Sequence, residues 1–416
     1  MPAIAPFIES AAIMSLPANH TALHPARLDR TAWFATLAGL CGSFVAIGLA
    51  RFAYTPLIPP LIEAHWFSAA DTVSLGAANF VGYLAGALVG RPLAASLGNR
   101  PALRLLMVIV TLAFFACAFP LSIAWFFVWR FAAGLSGGAI MVLVATSILP
   151  HIPVARRGFV SGLIFLGLGA GIAASGTLVP LLMSGGLKET WIGLGLVSVV
   201  LTAVSWFGWP KTNPAVPAAH AGTHPARPGR ALTVLYVQYA VNALVLVPSM
   251  ILLVDYVARG LGQGSTVGSL YWVLFGLGAT VGPVLCGAMG DRAGFRAAYV
   301  AGLVLQAVAL ATLAWTRTPA ALALATFVIG GFTPGVVPLA LGRIHELIPH
   351  SHTEQRAAWS RATTGFALLQ ALGGYGYAYL FSHSGENYAL VFLCGGAAAV
   401  IAILADLAVA RRPRAV

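Results

Sequence analysis

The sequence predicts an all-α membrane protein with twelve transmembrane helices in two pseudo-symmetric six-helix bundles. Of its 416 residues, 59% are hydrophobic and only 8% are charged, so it has too few polar side chains to cover a water-soluble globule. A membrane-spanning helix needs about 20 apolar residues, and twelve apolar segments of this kind follow one another along the chain. One long polar stretch, residues 211–230, divides these segments into two sets of six.

The predicted organisation leaves no room for a sizeable soluble domain, which excludes an appended catalytic or nucleic-acid-binding domain. A disordered cytoplasmic tail is expected first, and a basic cytoplasmic tail last. The predicted order is tail 1–30, N-terminal bundle 31–210, cytoplasmic linker 211–230, C-terminal bundle 231–410 and tail 411–416.

The basic residues predict the orientation. Most of the 23 lysines and arginines fall in segments on one side of the membrane if the N-terminus is cytoplasmic. By the positive-inside rule, both termini of this multi-pass protein are then expected at the cytoplasmic face of the inner (plasma) membrane. The formal net charge of +12 is thus an orientation signal and a contact for anionic lipid headgroups. Nucleic acid is not expected as a partner.

The sequence contains no pattern typical of a membrane enzyme or a metal site. Its four cysteines lie in apolar segments without CxxC spacing, which argues against disulfides and zinc. There is no HExxH motif, and no GxxxxGK[ST] loop for ATP. We therefore expect a monomer that is not an enzyme and that has no cofactor.

Two glycine-rich helix faces indicate an internal repeat. Four-residue spacing places small side chains on one helix face, where another backbone can approach closely. The second set follows the first by about 196 positions. The two sets are Gly82, Gly86 and Gly90 in the second segment, and Gly278, Gly282, Cys286 and Gly290 in the eighth.

A specific motif, GxxxDRxGxR, lies in the loop after the eighth segment and resembles motif A of the major facilitator superfamily. In it Gly294 permits a tight turn, and Asp291 can accept hydrogen bonds at a helix N-terminus. The resemblance implies that Asp291 lies against the start of the fifth helix, near Arg157 and Gly158, and acts in gating. The first-half copy departs from the pattern, with Ala94 at the acidic position and GNR from Gly98 one place late. The predicted gating residues are Gly287, Asp291, Arg292, Gly294 and Arg296.

Three further segments carry a resemblance, and the last two of them point to one branch of the superfamily. Arg130, within RFAAGLSGG, resembles motif B, whose arginine lies in the transport region of the superfamily. GLARFAYTPLIPP (residues 48–60) and AANFVGYLAGAL (residues 77–88) resemble the YbfB/YjiJ-like branch. The resemblance implies a secondary transporter that works by alternating access around a cavity lined by helices one, four, seven and ten. It implies no particular substrate, and the fifth segment lacks the Gly-Pro pair of the antiporter motif.

Arg51 and Arg130 fall within spans, where an arginine costs roughly 2.5 to 3.5 kcal/mol to insert. Guanidinium groups bind carboxylates bidentately, so a two-arginine site for a small organic anion is one interpretation. A second is structural, with each arginine bonded to carbonyls of helices broken at Pro56, Pro59 and Pro60, or turned outward. A third is proton coupling.

Further polar residues complete the predicted site. Neutral side chains at cavity positions are expected to contact the small-molecule substrate, while two carboxyl groups near the outer membrane surface are candidates for proton coupling. Proton-coupled efflux of small amphipathic compounds and a non-transporting sensor of the same fold remain alternatives to anion transport. The neutral residues are Asn79, Tyr83, Gln238, Tyr239, Asn242 and Thr333, and the acidic ones are Glu63 and Asp255.

Overall fold

The computed structural model shows long helices that run alternately up and down. It describes residues 28–153, 156–211, 229–349 and 351–410. The predicted tails and most of the linker therefore lie outside the described residues. The helices are α1 (Arg30–Glu63), α2 (Ala69–Leu97), α3 (Asn99–Cys117), α4 (Ile123–His151), α5 (Arg157–Met183), α6 (Leu187–Ser205), α7 (Arg230–Gly260), α8 (Gly264–Ala293), α9 (Phe295–Trp315), α10 (Pro319–Leu347), α11 (His352–His383) and α12 (Tyr388–Ala410).

The all-α, twelve-helix class is confirmed. Within the described residues, eleven helices are long and apolar enough to cross a membrane, and α11 is the exception. It begins at His352, seven residues before the start at 359 that hydropathy predicts. The Ser351 hydroxyl caps this extra length by accepting a hydrogen bond from the Glu354 N–H at 3.2 Å. These first turns carry charged side chains, so a prediction from apolar residues alone placed the start of the helix too late.

The glycine faces hold the closest helix pairs of each half. α2 packs on α4, and α8 packs on α10, with backbones so close that a Cβ on the glycine would overlap a carbonyl oxygen opposite. The partners are separated by the same interval in both halves, so the repeat predicted from spacing is a repeat of contacts. The pairs are Gly82 with Phe131, Gly86 with Leu135, Gly278 with Phe327, and Gly282 with Gly331.

The first-half copy of the loop motif is in register, which corrects the prediction that it is one place late. Gly98 has φ 87° and Gly294 has φ 80°, and each joins two consecutive helices. The interval between them equals that between the glycine faces, so Ala95 occupies the position of Asp291. The prediction counted from Gly90, which is the counterpart of Cys286 and not of Gly287.

The two halves touch near one end of the bundle. We call the end where α1 begins and α12 ends the termini face, and the other end the opposite face. Toward the opposite face, the Thr55 hydroxyl of α1 donates to the Met250 carbonyl of α7 at 2.6 Å. The Trp272 indole of α8 donates to the Ser175 hydroxyl of α5 at 3.0 Å. These contacts close the opposite face.

Toward the termini face, α5 and α8 lie apart. On α5, a Cβ built on Gly158 or Gly162 would meet nothing within 4 Å, and the same is true of Gly287 on α8. Deeper in the bundle, a Cβ on Gly169 would lie 2.8 Å from the Thr280 Cα. α5 and α8 therefore meet at mid-depth and separate toward the termini face.

Candidate functional site

An irregular stretch of α1 positions the first arginine. The helix passes through a π-helical segment, Phe44–Leu49, and a short turn at Ala53 before it continues as Tyr54–Glu63. π-helical segments shift the side chains that follow and occur frequently at functional sites. Here the backbone of α1 touches that of α5, because a Cβ on Gly48 would lie 2.7 Å from the Gly171 Cα. The irregular segment is thus fixed by packing, and Arg51 follows it directly.

The prolines of α1 do not break the helix, contrary to the structural interpretation of the sequence. Pro56, Pro59 and Pro60 lie within the continuous stretch Tyr54–Glu63. Pro56 is in its first turn, where a backbone N–H has no intrahelical partner to lose. The irregularity precedes the prolines instead.

Arg51 lies among aromatic rings. Its Cζ atom is 4.6 Å from the centroid of Phe80, 5.0 Å from that of Tyr83 and 5.4 Å from that of Phe52. Each ring face attracts the cation. The Nε and Nη2 atoms are buried and have no hydrogen-bond partner among the described residues. The side chain is half-buried, so the rings hold the guanidinium inside the bundle while its donors stay available.

Arg130 of α4 reaches the same stretch of α1. Its Nη1 donates to the Ala50 carbonyl at 2.7 Å, and its Cζ lies 4.2 Å from the centroid of Tyr54. The residue is only 3% exposed. Its Nε is buried without a partner among the described residues. Arg130 thus combines the structural and binding interpretations, since one nitrogen bonds a carbonyl and another is free.

Both arginines line one small cavity between the halves. It is about large enough for a single water molecule, so a larger ligand must separate the surrounding helices. Apart from the arginines its walls are mostly apolar or aromatic. They are formed by Arg51, Phe52, Tyr54, Thr55, Ile58, Gly76, Phe80 and Arg130 of the first half, and by Met250 and Ile251 of the second.

The cavity carries uncompensated positive charge. No acidic residue lines it, and none of the salt bridges among the described residues includes Arg51 or Arg130. Guanidinium groups stay protonated in proteins. Buried charges without a counter-ion are costly, so this arrangement favours an anion in the cavity.

The two predicted residues of α2 lie beside the arginines. The Asn79 side-chain amide donates to the backbone carbonyl of Arg130 at 3.3 Å, within the contact between α2 and α4. Tyr83 supplies one of the rings around Arg51. Neither is among the residues that line the cavity, so in this state both support the arginines from the side.

The predicted polar residues of α7 face the interior of the C-terminal half. Gln238 donates to the Ala402 carbonyl at 3.2 Å, and Asn242 donates to the Gln306 side chain at 3.1 Å. Both side chains therefore join α7 to α12 and α9. They were expected at cavity positions of α7, but a polar side chain on this helix can equally meet a neighbouring helix of its own bundle.

Tyr239 and Thr333 are also placed away from the cavity. The Tyr239 ring packs with Phe366 and Trp359 of α11, at centroid distances of 4.9 and 5.6 Å. The Thr333 hydroxyl donates to the Ile329 carbonyl of its own helix at 3.0 Å. A substrate contact for these residues stays a prediction for another conformation.

The predicted gating residues of α8 do not contact α5 in this structure. Asp291 and Arg292 are exposed, and Asp291 has no hydrogen bond or ion pair among the described residues. Its expected neighbour Gly158 faces open space. Arg296 instead pairs with Asp406 of α12 at 2.7 Å, which joins two helices of the same half. The contact of Asp291 with α5 is thus absent here and stays a prediction for a state closed at the termini face.

The candidates for proton coupling lie near the opposite face. Glu63 is exposed at the last residue of α1. Asp255 is fully buried, and both of its carboxylate oxygens accept from Arg259, at 2.6 and 2.7 Å. The Tyr388 hydroxyl also donates to it, and Arg259 pairs further with Glu386. Asp255 thus joins the end of α7 at the opposite face to the start of α12.

Sequence reasoning missed several residues that line the cavity. Tyr54 and Phe80 lie within the two segments that resemble the YbfB/YjiJ-like branch, a signal that could have found them. Met250 and Ile251 follow Pro248 in α7 and look like ordinary membrane-facing side chains. Only the close packing of α1 on α7 shows that they complete the cavity.

Three solved structures to which this chain is similar are membrane transporters. A crystal structure of a D-xylose-proton symporter has a TM-score of 0.69 and 15% identity, over 90% of this chain and 95% of its own. The xylose transporter XylE from E. coli, in a partially occluded inward-open conformation, has a TM-score of 0.66 and 14% identity, over 90% and 97%. An auto-inhibited POT family peptide transporter has a TM-score of 0.66 and 16% identity, over 93% and 98%. At these identities the likeness establishes the fold alone.

The match to a sequence family shows the class of protein: a secondary transporter of the major facilitator superfamily, with many helices that cross the membrane. Residues 43–407 match the family described as "Uncharacterised MFS-type transporter YbfB", so the chain belongs to that family. The branch predicted from the first two spans is thereby confirmed. No curated protein matches the sequence significantly.

Proposed function

We propose that this transporter moves a small organic anion by alternating access, with Arg51 and Arg130 holding the anionic group. The observation that supports it most is the pair of buried guanidinium groups, with free donors and no acidic partner among the described residues, in one cavity between the halves. A carboxylate accepts several charge-assisted hydrogen bonds and neutralises part of this charge.

The contacts at the two ends of the bundle indicate which end opens next in the proposed transport cycle. The structure is closed at the opposite face by the Thr55–Met250 and Ser175–Trp272 hydrogen bonds. Rocking of the halves would break these bonds and bring Asp291 against α5. We propose that the termini face is cytoplasmic in the inner membrane, because basic residues concentrate in its loops and attract anionic headgroups.

Ligand charge provides the test. The purified full chain in lipid nanodiscs would be heated with benzoate, with benzamide and with benzylamine, which share one ring and differ in charge. Benzoate is expected to raise the unfolding temperature, because ligands that bind the folded state stabilise it. Arg51→Gln should abolish the shift. Stabilisation by benzylamine or benzamide but not by benzoate would contradict an anionic substrate.

Counterflow in proteoliposomes distinguishes transport from sensing. Vesicles loaded with unlabelled benzoate should transiently accumulate radiolabelled benzoate from outside, above the level in protein-free vesicles. A sensor of the same fold would bind benzoate saturably without this accumulation.

A further inference from the structure

We infer that the substrate is an amphipathic monocarboxylate, with its single carboxylate between Arg51 and Arg130 and a compact apolar body against Met250 and Ile251. This inference rests on the proposed function and narrows its substrate class. It separates such a molecule from a dicarboxylate or an inorganic anion, which the charge argument alone would also admit.

The free polar groups of the cavity all lie in one place. The hydroxyl of Tyr54 is already engaged, since it donates to the Thr72 carbonyl at 2.8 Å. That of Thr55 donates to Met250. Among the polar atoms of the lining residues, the buried ones without a partner belong to Arg51 and Arg130. A ligand therefore finds hydrogen-bond donors at one end only.

The wall from the second half presents apolar side chains, and the Gln370 amide behind it donates to the Met250 sulfur at 3.7 Å. Met250 and Ile251 are the only residues of that half among those lining the cavity, and they are 4% and 3% exposed. Ile58 of α1 adds a further aliphatic surface. A second carboxylate placed there would lose its hydration without gaining a partner, which is costly. An apolar group gains burial at the same place.

One negative charge suits this pair of arginines. Three rings surround the guanidinium of Arg51. Arg130 faces the Tyr54 ring and bonds the Ala50 carbonyl. Ring faces and carbonyl oxygens stabilise positive charge without cancelling it. A single carboxylate at the free nitrogens therefore neutralises one of the two charges, and the ring faces and the Ala50 carbonyl stabilise the charge that remains.

The apolar body has to be compact and the wall has to yield. The cavity in this structure is about the size of one water molecule. Met250 has an unbranched, flexible side chain that can adapt its shape. It belongs to α7, so it moves away from α1 when the halves separate. The body of the substrate would then occupy the space between the halves.

The test compares dissociation constants by calorimetry on the full chain in nanodiscs. The probes are benzoate, 3-methylbutanoate, acetate and succinate. Benzoate and 3-methylbutanoate are expected to bind at least tenfold more tightly than acetate, which lacks the apolar body, and than succinate, which carries a second charge. Equal or tighter binding of acetate or succinate would overturn the inference while leaving an anionic substrate intact. Binding by none of the four would overturn the inference together with the proposed function.

A second measurement locates the apolar body. Met250→Ala removes part of the wall and so enlarges the cavity. The affinity for 2-naphthoate relative to benzoate should therefore rise by at least fivefold. Leu253→Ala is the matched control, because Leu253 is fully buried in α7 but does not line the cavity. The same change of ratio in both variants, or in neither, would place the apolar body elsewhere.

Discussion

The Arg130 guanidinium and the Ala50 carbonyl are joined by a hydrogen bond of 2.7 Å, deep inside the bundle. This bond links α4 to the irregular part of α1, immediately before the residue that carries the second buried guanidinium. Whatever moves α1 during the cycle therefore moves the two charges of the site together.

Arg130→Lys should abolish most transport while the protein still folds. Lysine keeps the charge but has all its donors on one nitrogen, so it cannot reach the Ala50 carbonyl and a carboxylate from separate positions as the planar fork of arginine does. Loss of one charged hydrogen bond, about 1.5 to 3 kcal/mol, corresponds to a drop of roughly ten- to a hundredfold in the counterflow rate.

Arg104→Lys is the matched control for this variant. Arg104 also donates to a backbone carbonyl, that of Trp206, and lies over the Trp206 ring, but outside the cavity. It should reproduce any loss of stability without the loss of transport. Equal rates in both variants would show that the Arg130 fork has no role in transport.

Thr55→Val should favour opening at the opposite face. The substitution removes the hydroxyl that bonds the Met250 carbonyl and nearly preserves the volume. A hydrogen bond contributes about 0.5 to 1.5 kcal/mol, so the open population should rise roughly two- to tenfold. The measurement is the rate at which a membrane-impermeant thiol reagent labels a cysteine introduced at Gly76, in a cysteine-free background.

Thr36→Val controls for the loss of a buried hydroxyl, because Thr36 bonds only the Ala32 carbonyl of its own helix. It should leave labelling at the introduced cysteine unchanged. A similar labelling rate in the two variants would mean that the Thr55 bond does not help to hold the opposite face closed.

Gly86→Ala and Gly282→Ala should destabilise the protein to a similar degree. Each adds a Cβ that overlaps the carbonyl opposite, and overpacking costs about 1 to 3 kcal/mol or more. Gly162→Ala is the control, since its Cβ would meet nothing within 4 Å. Unfolding temperatures in detergent provide the comparison. If all three variants unfold at the same temperature, the close helix pairs do not limit stability.

Asp291→Asn should shift the protein toward the state seen here. The carboxylate makes no bond among the described residues in this state, so its removal costs nothing here. At a helix N-terminus in the alternative state it would contribute about 0.3 to 1 kcal/mol. Cysteine labelling at Gly158 should therefore increase up to about fivefold, whereas Glu189→Gln, at the exposed start of α6 near the opposite face, should have no effect. Unchanged labelling would remove Asp291 from the gate.

Transport should respond to membrane potential and not require a proton gradient. Among the described residues, carboxylates and histidines lie toward helix ends or in loops, and Asp255 is bonded to Arg259. A monoanion would then carry net charge, and 100 mV biases its distribution by about 2.3 kcal/mol, roughly 50-fold. Potassium and valinomycin in proteoliposomes impose this potential.

Protein-free vesicles correct for neutral acid that crosses the lipid unaided. A pH gradient alone should then drive no protein-dependent accumulation of benzoate. If it does, a protein carboxylate carries the proton, and Asp255→Asn would be the first variant in which to look for its loss.

The fold was predictable from the sequence because bilayer thickness fixes the length of an apolar segment, and the spacing of Gly82 and Gly86 fixes a close helix pair. The two arginines were predictable for a related reason, since charge inside a membrane is costly and therefore conspicuous. The wall that Met250 and Ile251 form was not predictable, because in the sequence Met250 resembles any lipid-facing side chain. Gln238 and Asn242 misled the prediction, since a polar face on α7 can meet α9 and α12 as well as a cavity.

The low apolar content of α11 has a consequence for biogenesis. A segment that does not partition strongly into lipid by itself cannot rely on its own hydrophobicity during membrane insertion. α11 packs mainly on α7 and α2, both of which are synthesised before it. Its charged first turns and the aromatic pocket of Tyr239, Phe366 and Trp359 therefore become acceptable only against a bundle already in place. We therefore expect α7 and α2 to act as its insertion scaffold, so that a fault in either first appears as failed integration of the hairpin of α11 and α12.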